Sequence, residues 1–230
     1  MRPLLSVIIP AYNERATIEE LVRRVCAERT DKEIIVVDDG STDGTLDVLR
    51  RLNGDLGAQM RVLPQPANAG KGAALRRGFR EARGEVVLVQ DADLEYDPRD
   101  YPRLLAPLLR GEADVVYGSR VLGRNSRGTS GQRLGNWALT VWANAFTRLG
   151  LSDVCVCYKV FRRDVLERLD LREDRFGFDP EVTVKIARGG WRIREVPISY
   201  RPRTRAEGKK VRLKDALTSL WCVVRYSVRP

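Results

Sequence analysis

Asp91 and Asp93 stand two positions apart where an apolar run, Val86, Val87, Leu88, Val89, gives way to polar residues. In an extended segment residues two apart point the same way, so these carboxylates can share one hard cation. Mg2+ or Mn2+ accepts a few carboxylate oxygens and fills its remaining positions with water and phosphate, which suits a nucleoside diphosphate. Glu95 continues the spacing. A lone DxD is commonly a solvated acidic turn, and only its place after a buried strand gives this one weight. Asp38 and Asp39 form a second acidic pair after Val36 and Val37. At a strand end such carboxylates can accept hydrogen bonds from a base or a ribose hydroxyl. Ser41, Thr42 and Asp43 have a plainer use, capping the next helix and complementing its dipole. A third run ends in Pro10, Ala11, Tyr12, Asn13 and Glu14, setting a ring able to stack on a nucleobase beside another carboxylate. Lys71 lies in Asn68-Ala-Gly-Lys-Gly72, which opens a helix whose N–H groups suit phosphate. It is not a Walker loop, because Gln65 and Gly72 stand where that motif needs Gly and Ser or Thr. No GxGxxG follows the first run, which argues against a dinucleotide enzyme.

Such residues need strands that end on one rim. Ser6 to Pro10, Glu33 to Val37, Arg61 to Leu63, Glu85 to Gln90 and Asp114 to Tyr117 are predicted strands separated by helical patterns, the signature of a parallel α/β sheet. The first helix carries Ile18, Leu21, Val22 and Val25 on one stripe, and Thr17 with Glu20 predicts a capping box. After Gly118 comes a Gly- and Arg-rich loop, Arg120 to Arg133, then an amphipathic segment rich in Trp, Leu and Phe. A short run over Val154 to Phe161, a helix after Arg163, a helix near Pro180 to Arg188 and a strand at Ile193 to Pro197 follow. Beyond Tyr200 a basic loop holding Lys209 and Lys210 leads to a last helix, about Leu213 to Tyr226. No repeat or linker divides the chain, so residues 1–230 are expected to form one domain.

Composition narrows the chemistry further. The 230 residues include 41 Lys and Arg against 31 Asp and Glu, a net charge of +10 that predicts attraction to phosphates, nucleic acid or anionic membrane. No RRM, helix-turn-helix or zinc motif accompanies that charge, so nucleic acid is not the expected partner. There is no histidine, which removes every mechanism that needs a His base or a His-bound zinc. Cys26, Cys155, Cys157 and Cys222 form no CxxC and no signal peptide precedes the first strand, so packing cysteines in a reducing cytoplasm are expected. Trp137 to Phe146 is too short to span a bilayer.

Taken in order, Pro10-Ala-Tyr-Asn-Glu14, Val37-Asp-Asp-Gly-Ser-Thr-Asp-Gly-Thr45, Asn68-Ala-Gly-Lys-Gly72, Asp91-Ala-Asp93, Tyr117-Gly-Ser-Arg120 and the terminal basic loop resemble glycosyltransferase family 2, in its dolichol-phosphate mannosyltransferase-like branch. The resemblance covers almost the whole chain. It implies a single GT-A domain of Rossmann-like α/β architecture, with a mainly parallel central sheet and peripheral amphipathic helices. It also implies a nucleotide-sugar-binding half, 1–118, and an acceptor-binding half, 119–230. On this likeness the donor lies against Pro10, Ala11, Tyr12, Glu14, Val37, Asp38, Asp39, Lys71, Asp91, Ala92 and Asp93, and the metal is bound by Asp91, Asp93 and Glu95. Many relatives carry Gln at the last of these positions. Arg120 and Arg133 resemble the family's phosphate-binding arginines, and Arg203, Lys209 and Lys210 its C-terminal basic signature.

The reaction so implied is an inverting transfer of a hexose, mannose from GDP-mannose first and glucose from UDP-glucose as the alternative. The acceptor is a polyprenyl or dolichyl phosphate; a soluble saccharide-building transferase or a sugar-nucleotide sensor are the other readings. A lipid phosphate is already anionic and needs no strong base, which agrees with a chain lacking histidine. An alcohol acceptor would need one, and Asp153 in Leu151-Ser-Asp153 is then the candidate, with a buried structural role the competing use. Trp137, Leu139, Val141, Trp142 and Phe146, and then Leu217, Leu220, Trp221 and Val224, suit a membrane interface, with peripheral attachment on its cytoplasmic face.

Overall fold

The computed structural model of the chain describes residues 2–123, 130–203 and 213–228. Seven strands form one sheet in the order β3-β2-β1-β4-β6-β5-β7. They are β1 (Leu5–Ala11), β2 (Lys32–Asp38), β3 (Met60–Pro64), β4 (Val86–Val89), β5 (Val115–Ser119), β6 (Lys159–Arg162) and β7 (Ile193–Pro197). The first four are mutually parallel, and the near-continuous runs of Val, Ile and Leu in β1, β2 and β4 are those of strands covered on both faces. The chain moves outward from β1 to β2 and β3, then returns to place β4 on the other side of β1. That reversal opens the crevice where an α/β sheet binds its ligands.

Helices α1 (Ile18–Ala27), α2 (Thr45–Leu56), α3 (Lys71–Glu81) and α4 (Tyr101–Leu109) cover the sheet, followed by α5 (Ser130–Thr147), α6 (Arg163–Glu167), α7 (Phe178–Arg188) and α8 (Leu213–Val228). The apolar stripe of α1, Ile18, Leu21, Val22 and Val25, is wholly buried, as its spacing predicts. On α3, Gly78 lies against Ile8 and Val37, where any Cβ would overlap the Ile8 side chain, so the missing side chain lets the helix sit close on β1 and β2.

Three local expectations are corrected. Thr17 makes no capping box: its hydroxyl faces inward, with the Ala92 carbonyl (3.1 Å) and Glu14 Oε2 (3.0 Å) both within reach of its one hydrogen, while Glu20 accepts from Arg24 (2.7 Å). Ser41 and Thr42 do not cap α2 either. Ser41 Oγ accepts the Asn13 N–H (3.0 Å), Asn13 Oδ1 accepts the Thr42 N–H (2.8 Å), and Gly44 with φ +90° begins the helix. Asp43 does serve the helix start, accepting the Thr45 N–H (3.0 Å). The run Val154 to Phe161 becomes a strand only from Lys159, because Lys159 Nζ, fully buried, bonds back to the Val154 and Val156 carbonyls and folds the preceding residues into a turn. That strand, β6, is antiparallel to both neighbours.

Candidate active site

The carboxylates singled out by spacing come together at the C-terminal ends of β1, β2 and β4. Each has a different set of partners, and those partners decide what it can do.

Asp38 and Asp39 divide. Asp39 is buried, and four donors fill its carboxylate: Gln65 Nε2 (2.6 Å), Asn68 Nδ2 (2.9 Å) and the N–H groups of Ala69 and Gly70 (2.8 Å each). A carboxylate has about four lone-pair sites. None remains for a ligand, so the nucleotide-contact role expected of Asp39 is replaced by that of a brace for the segment entering α3. The same bonds occupy amides expected to bind phosphate at this helix start. Asp38 takes one bond, from the Ser41 N–H (3.2 Å), and its Oδ1 is buried with no partner among the described residues. A buried acceptor left unpaired costs free energy, which a ligand donor would recover.

At the end of β4, Gln90 is buried and its Oε1 accepts the hydroxyls of Tyr101 and Tyr158 (2.8 Å each). Those bonds fix where the backbone delivers Asp91 and Asp93. Asp91 Oδ1 pairs with Lys71 Nζ at 2.6 Å. Burial works to raise its carboxyl and the Lys71 ammonium outweighs it, holding Asp91 below its ordinary range. Lys71, expected on a phosphate, is thus engaged by Asp91. Asp93 accepts the Glu95 N–H (3.0 Å) and pairs through Oδ2 with Arg203 Nη2 (2.6 Å). Burial, then the nearby Asp91 charge, push its carboxyl up to about 7.

Arg203 is the centre of this cluster. Its guanidinium also reaches Glu14 Oε2 (3.0 Å) and lies 3.8 Å from Glu95 Oε1. Residues 200–203 run antiparallel across the acidic segment: Tyr200 bridges Tyr96, the Arg201 N–H donates to the Glu95 carbonyl (2.9 Å), the Arg203 N–H to Glu95 Oε1 (2.8 Å), and the Tyr200 hydroxyl to Glu95 Oε2 (3.0 Å). Glu95 is therefore an anchor for this segment.

The donor set around Asp91 and Asp93 is all hard oxygen and suits Mg2+ or Mn2+ in chemistry. Among the described residues, however, no three such groups are gathered as ligands, since Asp91 is turned to Lys71 and Asp93 to Arg203. The residues fit; their present pairing does not.

Arg120 and Asp153, expected as a phosphate ligand and a possible base, bind each other. Nε and Nη2 of Arg120 donate to the two carboxylate oxygens at 2.7 Å each, and the Asp153 side chain is buried. Glu195 accepts the N–H groups of Ser152 (2.8 Å) and Asp153 (3.1 Å) and so holds the turn in place. Both oxygens of Asp153 are thus engaged by Arg120, which favours its structural use over that of a base. The Arg120 guanidinium also lies 5.1 Å from the centre of the Tyr200 ring. Arg133 is exposed in the first turn of α5, and Lys209 and Lys210 lie outside the described residues. Tyr12 is half-buried at the rim, and Pro10, Ala11, Val37 and Ala92 line the ends of β1, β2 and β4.

The profile of glycosyl transferase family 2 matches residues 6–170, well over half the chain. The chain belongs to glycosyl transferase family 2. This glycosyltransferase is 29% identical over 236 residues to a dodecaprenyl-phosphate galacturonate synthase of Rhizobium johnstonii, covering 98% of the chain and 69% of that relative. It is 31% identical over 219 residues to a dolichol-phosphate mannosyltransferase of Pyrococcus furiosus, covering 89% of the chain and 58% of that relative. The chain thus spans 58% to 69% of the length of these two relatives. The glycosyltransferase also shares its fold with glucosyl-3-phosphoglycerate synthase of Mycobacterium tuberculosis, solved with Mn2+, UDP and glucosyl-3-phosphoglycerate. That likeness has a TM-score of 0.76 at 24% identity, over 99% of this chain and 81% of the other. The expected family and the GT-A fold with a mainly parallel sheet are both confirmed.

The sequence pointed to most carboxylates of the site but missed Gln90, Glu195 and the pair of Lys159 with Asp179 (2.5 Å). Gln90, directly before the acidic segment, carried a usable signal, being polar at the end of an apolar strand.

Proposed function

We propose that this family 2 glycosyltransferase moves a hexose from a nucleoside-diphosphate sugar onto a polyprenyl phosphate at a membrane surface. The observation that carries the reading is the buried Asp38 Oδ1, unpaired among the described residues, on the same rim as Asp91 and Asp93, at the strand-order reversal. An acceptor waits there for a donor N–H or hydroxyl, beside carboxylates that suit a diphosphate's cation. Two relatives named for polyprenyl-phosphate chemistry support the acceptor class. They differ in the sugar they are named for, and GDP-mannose remains our first choice of donor, with UDP-glucose the alternative.

In this reading residues 1–118 bind the donor and residues 119–230 the acceptor. Asp38 accepts from the base, and Tyr12 offers its ring to that base. Asp91 and Asp93, with Glu95 beside them, hold Mg2+ or Mn2+, and a bound divalent ion would neutralise charge on the departing diphosphate. The basic side chains of Lys71, Arg120, Arg133, Arg203, Lys209 and Lys210 supply further positive charge for the phosphates of donor and acceptor. The acceptor's own anionic oxygen attacks, so no side chain need remove a proton, in keeping with an Asp153 already bound to Arg120.

Attachment to a membrane is supported by one apolar surface. Leu134, Trp137, Val141, Trp142 and Phe146 on α5, with Leu217 and Trp221 on α8, are all exposed, and Trp142 Nε1 donates to the Leu220 carbonyl (3.2 Å), setting the two helices side by side. Patches of this kind mark protein or membrane contacts, and the high Trp content favours the interface of a bilayer. No helix among the described residues is long and apolar enough to cross one.

The test is incubation with Mn2+, a short polyprenyl phosphate and either GDP-mannose or UDP-glucose, with the product identified by mass. A glycosylated polyprenyl phosphate is the expected product; hydrolysis alone, or no reaction with either donor, would refute the reading.

A further inference from the structure

The position of Arg203 has a consequence beyond phosphate binding. Its guanidinium sits where the carboxylates of Glu14, Asp93 and Glu95 converge, bonding the first two directly. It is drawn there by its backbone as well as by its charge. The N–H groups of Arg201 and Arg203 and the Tyr200 hydroxyl all end on Glu95, so residues 200–203 are laid along the acidic segment like an added strand. With the Glu95 N–H on Oδ1 and the guanidinium on Oδ2, Asp93 meets a divalent ion with both oxygens already engaged, and the fixed positive charge of Arg203 beside them repels that ion.

We infer that Arg203 is a built-in competitor for the cation site, so that a divalent ion binds at Asp93 only as the Arg203 side chain withdraws and residues 200–203 loosen from Glu95. This rests on the reading of Asp91 and Asp93 as the cation site. Glu95 strengthens the competition, because its full charge and two acceptor oxygens serve both the guanidinium and its backbone, whereas a neutral amide there would hold the segment less firmly. Tyr200 extends the effect, since its ring lies against Arg120 and its hydroxyl on Glu95. Loosening the segment on the donor side therefore also frees one face of the arginine on the acceptor side.

Two measurements on the full chain test this, neither using turnover. In the first, Mn2+ alone is titrated by calorimetry into the natural protein and into Arg203→Met, which keeps the aliphatic stem and removes the charge. The variant is expected to bind Mn2+ about tenfold more tightly, the scale on which one neighbouring cation shifts a carboxylate. Equal affinity, even with a lowered melting temperature, would make Arg203 a structural residue and overturn the inference while leaving the cation site standing. Binding to neither protein would remove the site itself and the inference with it. In the second, hydrogen exchange is followed at the Arg201 and Arg203 amides of the natural protein. Saturating Mn2+ should accelerate it severalfold; unchanged protection with Mn2+ bound would refute the competition.

Discussion

Arg120 and Asp153 face each other across two parallel hydrogen bonds of 2.7 Å, with 12% of the arginine side chain and 3% of the aspartate side chain exposed. Removing one partner of a buried pair strands the other's charge, which costs about 3–5 kcal/mol. Asp153→Ala should accordingly lower the free energy of unfolding by roughly 3 kcal/mol in urea titrations. A variant of undiminished stability that has lost turnover would instead return Asp153 to the role of a base.

Asp38 presents the opposite case, a buried carboxylate oxygen with no partner among the described residues. Replacing it by Ala removes an unsatisfied group, so stability should hold or rise slightly, while the dissociation constant for the nucleoside diphosphate should increase about tenfold or more for the loss of one hydrogen bond to a charged acceptor. Binding calorimetry and thermal melts on the same samples separate the two effects. A melting point that falls while affinity is unchanged would contradict the assignment.

For Asp39 the expected outcome is structural. Its four bonds hold Gln65, Asn68, Ala69 and Gly70, and Gly40, at φ +70°, lies so close to Ala67 that a Cβ there would meet its backbone at 2.6 Å. Asp39→Ala should cost about 3 kcal/mol or more, because several buried donors lose a charged acceptor together. Proteolysis at residues 65–70 should rise with it; nucleotide affinity lost at full stability would show that Asp39 binds the ligand directly.

Asp93→Asn should reduce sugar transfer at least a hundredfold, the usual cost of losing one electrostatic contact to the transition state. The fold should survive within about 1 kcal/mol, since the neutral amide relieves crowding with Asp91 even as it weakens the bond to Arg203. Activity close to that of the natural protein would reject the metal assignment.

Trp137 and Trp221 are each 62% exposed. Changing both to Ala should leave stability within about 0.5 kcal/mol per site, as exposed substitutions do, and should weaken sedimentation with anionic vesicles severalfold. Unaltered vesicle binding would place the membrane contact elsewhere.

Much of the fold was readable along the chain because it depends on short-range periodicity. The buried strands β1, β2 and β4 are runs of Val, Ile and Leu, the Ile193–Pro197 strand appears with its expected bounds, and the stripe on α1 follows from 3.6-residue spacing. The same reasoning placed acidic residues on one rim, since it needed only strand direction. It misjudged Thr17, Ser41 and Thr42, whose hydroxyls serve neighbouring loops instead of their own helices. Local capping rules cannot register a partner that arrives from another strand.

By itself the sequence determined the layered α/β architecture, the absence of histidine chemistry, the strongly basic balance and the acid residues available at each strand end. Tertiary structure decided which of those acids are spent on the protein itself. Asp39 is filled by a loop 26 to 31 residues away, Asp153 by Arg120 from 33 residues away, and Glu95 by the Arg203 amide across 108 positions. The physical reason is that a carboxylate's role depends on how many of its lone pairs remain unpaired after folding, and that count is set by side chains and amides brought from distant parts of the chain.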